Sequence, residues 1–243
     1  MITVKEKTVS EAIDYRRSVR VYDAEKSIDT EVVKKCLEQA VLAPNSSNMQ
    51  LWEFYHITSP DTLKKLVPLC LGQNAAKTAK QMVVVTVRKD LWRKRAKANL
   101  DHLNTIFPPK PAGEQSRREK MARNYYGRLI PFIYNDLLGI FRYITILVLG
   151  LFKPIYREVR KKDIRVVAHK SAALAAQTFM LSMAAEGYDT CPMEGSDTWK
   201  VKKLLGLPMG AEVNMIISCG IRNPEELYGE RFRVPFDEVY KEV

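Results

Sequence analysis

The sequence predicts a mixed α and β fold carrying a long helical insertion, and three observations point there. Apolar residues recur at helical spacing behind clear start signals, as in Val32, Val33, Cys36, Leu37, Ala40 and Val41 after Asp29/Thr30. Two stretches read as strands: Leu51–Thr58 alternates, and Met82–Val87 is a β-branched run of the kind found in buried strands. The third is compositional. Residues 88–165 hold 19 Lys and Arg against 7 Asp and Glu, whereas the remainder holds 20 against 21. The formal charge of +11 therefore belongs to one internal segment of an otherwise nearly neutral chain. With 243 residues, 46% of them hydrophobic, the chain can bury a sizeable core, and one domain spanning 1–243 is expected.

Taken in order, Thr8 and Glu11 stand at capping-box spacing, and Val9, Ala12 and Ile13 give a short first helix an apolar side. The second helix starts at Asp29/Thr30 and is stopped by Pro44. Ser59-Pro60 opens a third, to about Leu71, and Asn74 and Lys77 share a face if their piece is helical. In the insertion, Leu91–Leu103 is a basic helical stretch broken by Pro108, Pro109 and Pro111, and Gly113–Arg118 reads as a loop. Leu129–Phe152 is the most apolar part of the chain, with only Asp136 and Arg142 charged, and Tyr156–Arg165 is basic again. Val167–Glu186 is an alanine-rich helix, apolar nearly all round and so expected to be buried, with Gly187 as its stop. Asp197 or Thr198 starts a short helix to about Leu205, and Glu212–Ile221 reads as a strand.

The stretch Arg16-Arg17-Ser18-Val19-Arg20 follows the first helix. Guanidinium forks match phosphate oxygens bidentately and the serine adds a neutral donor, so the stretch is a candidate anion clamp as well as a candidate solvated turn. Ala43–Phe54 (APNSSNMQLWEF) begins as a polar turn, and Pro192–Asp197 (PMEGSD) is a tight connection that Asp197 can cap. Trp52 is expected in the core. His56, His102 and His169 lack metal-ligand spacing, so neither a metal site nor a catalytic histidine is expected. Cys36, Cys70, Cys191 and Cys219 form no CxxC pair and suit reduced thiols that pack as small hydrophobes. MITVKEKTVSEA has no apolar run of a secretory signal, so a cytoplasmic location is expected. No recognisable RNA- or DNA-binding motif interleaves aromatics with the basic residues, which argues against nucleic acid.

RRSVR, APNSSNMQLWEF, Asn74 with Lys77, PMEGSD and the final Arg231-x-Arg233-x-Pro235 occur in the order found in FMN-dependent nitroreductases, and over residues 8–87 and 166–236 the chain resembles that family. The resemblance implies an α+β fold, a three-layer α/β/α sandwich with a mixed central sheet, and a homodimer with FMN at the subunit interface. It implies that Arg16, Ser18, Arg231 and Arg233, with Arg17 beside them, hold the FMN phosphate. Arg231 stands where many relatives have lysine, which keeps the charge but changes the donor geometry. Arg20, Asn74 and Lys77 would lie near the pyrimidine edge of the ring. Pro192, Met193, Glu194 and Gly195 would form the turn whose backbone faces N5 and O4. Pro44, Asn45, Ser46 and Asn48 would reach the flavin of the other subunit. The implied activity is hydride transfer from NADH or NADPH through the flavin to a small acceptor such as a nitroaromatic or a quinone. FMN then carries the chemistry and no catalytic side chain is required. A flavin-binding module without this turnover, associated with a membrane surface, is the alternative.

Leu129–Phe152 keeps two readings. It is a lid or dimer-packing helix over the flavin cleft, or an interfacial hairpin in which residues 117–162 make peripheral contact with an anionic membrane at its inner face. A single span is disfavoured, because it would separate Arg16 from Arg233.

Overall fold

The computed structural model describes residues 6–108, 110–111, 114–226 and 229–243. Pro109, Gly113 and the start of the N-terminal stretch lie outside the described residues. The first half of the chain runs α1 (Val9–Tyr15), α2 (Thr30–Ala40), β1 (Trp52–Ile57), α3 (Pro60–Leu69), α4 (Asn74–Lys77) and β2 (Gln81–Val87). The insertion follows as α5 (Trp92–Ile106), α6 (Arg117–Asn124), a π-turn at Tyr125–Leu129, α7 (Ile130–Tyr134) and α8 (Gly139–Leu149). The chain returns to the main body with α9 (Lys161–Ala185), β3 (Asp189–Met193), α10 (Thr198–Leu204) and β4 (Glu212–Gly220), and ends with α11 (Phe236–Val239).

The four strands form one sheet in the order β1-β2-β4-β3 with antiparallel neighbours throughout. A parallel bridge from Ser18 to Thr190 adds the one parallel pairing among the described residues. Strand alternation sends side chains to opposite faces, and both faces of β2 are covered. Val83, Val85 and Val87 pack with Val33, Cys36, Ala172, Ala176 and Phe179 of α2 and α9. Met82 and Val84 pack with Leu66, Ala75, Ala76 and Val201 of α3, α4 and α10. Two helical layers around a sheet make the three-layer α/β/α arrangement. Every residue of β2 is buried, as its β-branched run requires. Burying each such valine contributes about 1.5–3 kcal/mol.

The start signals act as expected. Thr8 and Glu11 form a reciprocal capping box, and Asp29, Ser116 and Asp197 accept from the first-turn N–H groups of α2, α6 and α10. Trp52 lies in the core and all four cysteines are buried. Burial holds the Cys36 thiol up at about 12 and that of Cys70 at about 11.

Elsewhere the structure departs from expectation. Of the apolar side of α1 only Ala12 is buried, while Val9 and Ile13 face outward. The loop expected at Gly113–Arg118 gives way to α6 at Arg117, a charged helix without apolar periodicity; Glu119 is buried there and held by Arg123 one turn on. α9 begins six residues ahead of the expected Val167, because Asp163 accepts from the Arg160 backbone N–H and caps a basic first turn. Leu129–Phe152 is not one helix: the axis bends by 66° between Tyr134 and Asp136.

Candidate flavin site

Residues after α1 run extended beside β3. Val19 N–H donates to the Thr190 carbonyl at 3.2 Å, and Tyr22 bridges Arg222. Extended backbone alternates, so Val19 and Val21 turn into the core while Ser18 and Arg20 turn away from it. The C-terminal segment closes on the same stretch. Arg17 donates to the Gly229 carbonyl at 2.8 Å, and Arg231 donates to the carbonyls of Asp14 (2.8 Å) and Arg16 (2.6 Å). The result is a cavity of about 350 Å³ lined by Arg16, Arg17, Ser18, Arg20, Arg231 and Arg233, with Phe232 and a single carboxylate, Glu230. Burial, then the charges of Arg231 and Arg233, push the proton affinity of Arg16 below that of an ordinary guanidinium. Like charges converging on one hollow, with a hydroxyl among them, are the donor set that a dianionic phosphate satisfies. The residues present therefore fit a phosphate group.

Arg20 also lines a neighbouring cavity of about 270 Å³, with Gly72, Gln73, Asn74, Ala75, Cys191 and Pro192. Met193, Glu194 and Gly195 line neither cavity, but their turn is connected to the one that carries Gln73. Gln73 Nε2 donates to the Gly195 carbonyl at 2.8 Å, and Asp197 N–H donates to the Leu69 carbonyl at 2.8 Å. Met193 is buried at the end of β3, while Glu194 and Gly195 are exposed. A Cβ on Gly195 would meet Gln73 only at 3.5 Å, so the fold itself does not demand glycine there. Leu71 sits at φ +56°, a left-handed conformation that a branched side chain rarely adopts; strain of this kind concentrates at functional sites. Lys77 is exposed at the end of α4, its Cε beside Gly72, and does not line the cavity.

Pro44, Asn45, Ser46 and Asn48 are not brought to either cavity. Asn45 Oδ1 accepts from Gln50 N–H at 2.8 Å, and Ser46 N–H donates to Ser171 Oγ at 3.3 Å. Asn48 exchanges hydrogen bonds with Asn99 of α5, and Ser47 Oγ lies 2.6 Å from the Tyr125 hydroxyl. Ser46 and Ser47 line a separate hollow of about 250 Å³ with Tyr125, Ile130, Ile133 and Tyr134. Ser47, Asn48 and Gln50 all have φ near +50°, so the insertion holds a strained turn in place.

Two groups that position the site carry no local motif. Asp189, at the start of β3, is buried and paired with Arg222 just beyond β4. Arg222 also donates to the Tyr15 carbonyl at 2.9 Å, and the Tyr15 hydroxyl donates to the Gly187 carbonyl at 3.1 Å. This network clamps the end of α1 against the sheet and so aims Arg16. Gln73 is the second group: it lines the ring-sized cavity and ties the Cys70 carbonyl to that of Gly195. A charged residue immediately past a strand end was the available signal for Arg222; Gln73 offered none.

The family model described as Nitroreductase family matches residues 13–221, and the chain belongs to this family. It is 28% identical over 222 residues to Protein DrgA of Synechocystis, covering 91% of this chain and 87% of that one. To YdgI of Bacillus subtilis, assigned as an NAD(P)H nitroreductase, it is 27% identical, covering 97% and 98%. A protein of Exiguobacterium sibiricum, assigned as a nitroreductase and solved in complex with FMN, superposes with a TM-score of 0.69 at 21% identity, covering 99% of this chain and 100% of that one.

Proposed function

We propose that the chain is an FMN-dependent oxidoreductase that passes hydride from NADH or NADPH to a small acceptor such as a nitroaromatic or a quinone. The arginine-lined cavity carries the reading, because it opens beside a ring-sized hollow that shares Arg20 with it. Family membership and the FMN complex of a structural neighbour support the same assignment. When bound, FMN supplies the two-electron chemistry between reductant and acceptor.

The residues do the rest. Arg16, Arg233 and Ser18 hold the phosphate, while Arg231, already spent on two carbonyls, fastens the C-terminal segment over it. Arg20 and Asn74 meet the pyrimidine edge, where a cation favours negative charge on the ring. In the turn Pro192–Gly195, braced by Gln73, the backbone N–H groups that follow the proline would serve as donors to the flavin. Pro44, Asn45, Ser46 and Asn48 serve the flavin of a second subunit, which accounts for their distance from these cavities and makes the active form a homodimer. No side chain is asked to transfer a proton.

Denaturing purified protein and chromatographing the released flavin should give FMN. Anaerobic mixing with NADH and NADPH should then bleach flavin absorbance, and adding a nitroaromatic or quinone should restore it. Release of FAD, or failure of both nucleotides to bleach bound FMN, would refute the proposal.

A further inference from the structure

A wide cleft and a run of exposed apolar side chains adjoin one another, sharing no lining residue with the two cavities of the flavin site. In α8 the usual arrangement is inverted. Arg142 is its one buried residue, and the guanidinium donates to the carbonyls of Val159 (2.7 Å), Phe132 (2.8 Å) and Asn135 (3.0 Å). The apolar side chains point the other way. Leu137, Ile140, Phe141, Ile144, Val148 and Leu151 recur at helical spacing and form one outward stripe, with Leu137 92% and Ile140 80% exposed. Arg142 therefore pins the helix to the body by its polar face, and the stripe is left for something other than this chain's core. A contiguous apolar surface of this kind marks an interaction site.

Cations surround the stripe. Arg157 donates to the Gly150 carbonyl at the C-terminal end of α8, and the Arg160 guanidinium lies 5.7 Å from the Tyr143 ring. Lys153 is exposed just past the helix. At the other end, Leu137 borders a cleft of about 1000 Å³ whose walls carry Lys89, Arg93, Lys161, Lys162, Arg165 and Lys202 together with Asp90, Asp136 and Glu212. Asp136 pairs with Lys89 and Lys161 and Glu212 with Arg165, and the cations remain in excess. The eleven residues of α8 would span about 17 Å, short of the roughly 30 Å hydrocarbon core. No single helix among the described residues is long and apolar enough to cross a membrane.

We propose that α8 and its basic border are a docking surface for an anionic membrane, on which the stripe enters the headgroup boundary while the lysines and arginines meet lipid phosphates. Charge complementarity selects this occupant: a second copy would bring the same cations face to face, and an acceptor-binding lid has no use for them. An amphipathic element rich in cations, with an apolar face too short to span, is the arrangement that lies in the interface plane. Each cation near an anionic surface strengthens binding about fivefold, an effect that salt screens. The proposal does not depend on the flavin reading.

The test is co-sedimentation of the full chain, flavin loaded, with vesicles of phosphatidylcholine alone or mixed with phosphatidylglycerol, at low and high salt. Binding is expected only to the anionic vesicles and should fall with salt. Replacing Ile140, Phe141, Ile144 and Leu151 by Ser should lower it at least about tenfold with unchanged FMN content. Lys153→Gln with Lys162→Gln, which leaves the stripe intact, should lower it about 25-fold. Four outcomes overturn the proposal: no binding to anionic vesicles at low salt; equal binding to both vesicle types; a serine variant that binds like the parent; or a serine variant with half the parent's mass in solution, which would assign the stripe to a second copy.

Discussion

Arg16 and Arg233 differ from Arg17 in what else they do. All three line the hollow, but Arg17 is tied across the fold to the Gly229 carbonyl (2.8 Å), whereas Arg233, among the described residues, donates only to the carbonyl of its chain neighbour Phe232 (2.6 Å) and is close enough for its charge to repel that of Arg16. Arg233→Ala is therefore expected to weaken FMN binding by about 1.5–3 kcal/mol, the range of a hydrogen bond to a charged group. Arg17→Ala should weaken it less, and fluorescence titration of the apoprotein with FMN checks the order. Equal losses would mean that Arg17 also reaches the phosphate. Gly220 is a second decisive position. A Cβ there would lie 2.6 Å from the ring of Tyr22, which is buried and bonded through its hydroxyl to Ser218. Gly220→Ala should cost about 1–3 kcal/mol of stability through overpacking, read as a lower urea midpoint.

At the scale of elements, the insertion packs on the body through Ala96, Ile130 and Tyr134, and an ion-pair cluster adds to that packing. Asp136, at the bend before α8, accepts from Lys89 beyond β2 and pairs with Lys161 at the start of α9. Burial pushes its carboxyl up, but the two lysines outweigh burial and hold it below the usual carboxylate range. A carboxylate with a lowered folded value adds stability above its unfolded value, and that stability is lost as pH falls through the folded value. Asp136→Asn should thus be less stable than the parent at neutral pH, and the difference should shrink and then vanish as pH falls below the usual carboxylate range. Because Asp136 is well exposed, the effect should not exceed about 1 kcal/mol. Denaturant midpoints of both proteins across that range measure it; a difference that persisted in acid would mean that the aspartate acts through something other than its charge.

For the whole molecule, several outward apolar residues lie away from α8. Val9 and Ile13 on α1, Val41 and Leu42 after α2, and Leu174 on α9 are exposed, as are Phe232 and Phe236 in the C-terminal arm. Exposed apolar side chains on adjacent elements suit a subunit interface, and the turn at Asn45–Asn48 lies outside its own chain's arginine cavity. Sedimentation velocity should show a flavin-loaded homodimer. A stable flavin-loaded monomer would leave Asn45 and Ser46 without the role proposed for them.

The sequence by itself determined the helix starts at Thr8, Asp29 and Asp197, the buried strand at Met82–Val87 and the arginine cluster after α1. Each is legible because its cause is local: a capping side chain two or three residues from its partner, a β-branched run, charges adjacent in the chain. α6 was the harder helix to read: Ser116 and Glu119 give the same local start signal, but the residues that follow show no apolar period and the buried Glu119 is stabilised by Arg123 only once both are packed. The same holds for the clamp of Tyr15, Asp189 and Arg222 and for Gln73 beneath Gly195, whose partners are far apart in the chain. Only tertiary structure decided the fate of Leu129–Phe152. Its composition is that of a core or lipid-facing helix, and which side faces outward depends on where Arg142 finds three carbonyls. Those carbonyls belong to Phe132, Asn135 and Val159, and only the 66° bend and the return of the chain to α9 bring them to one place.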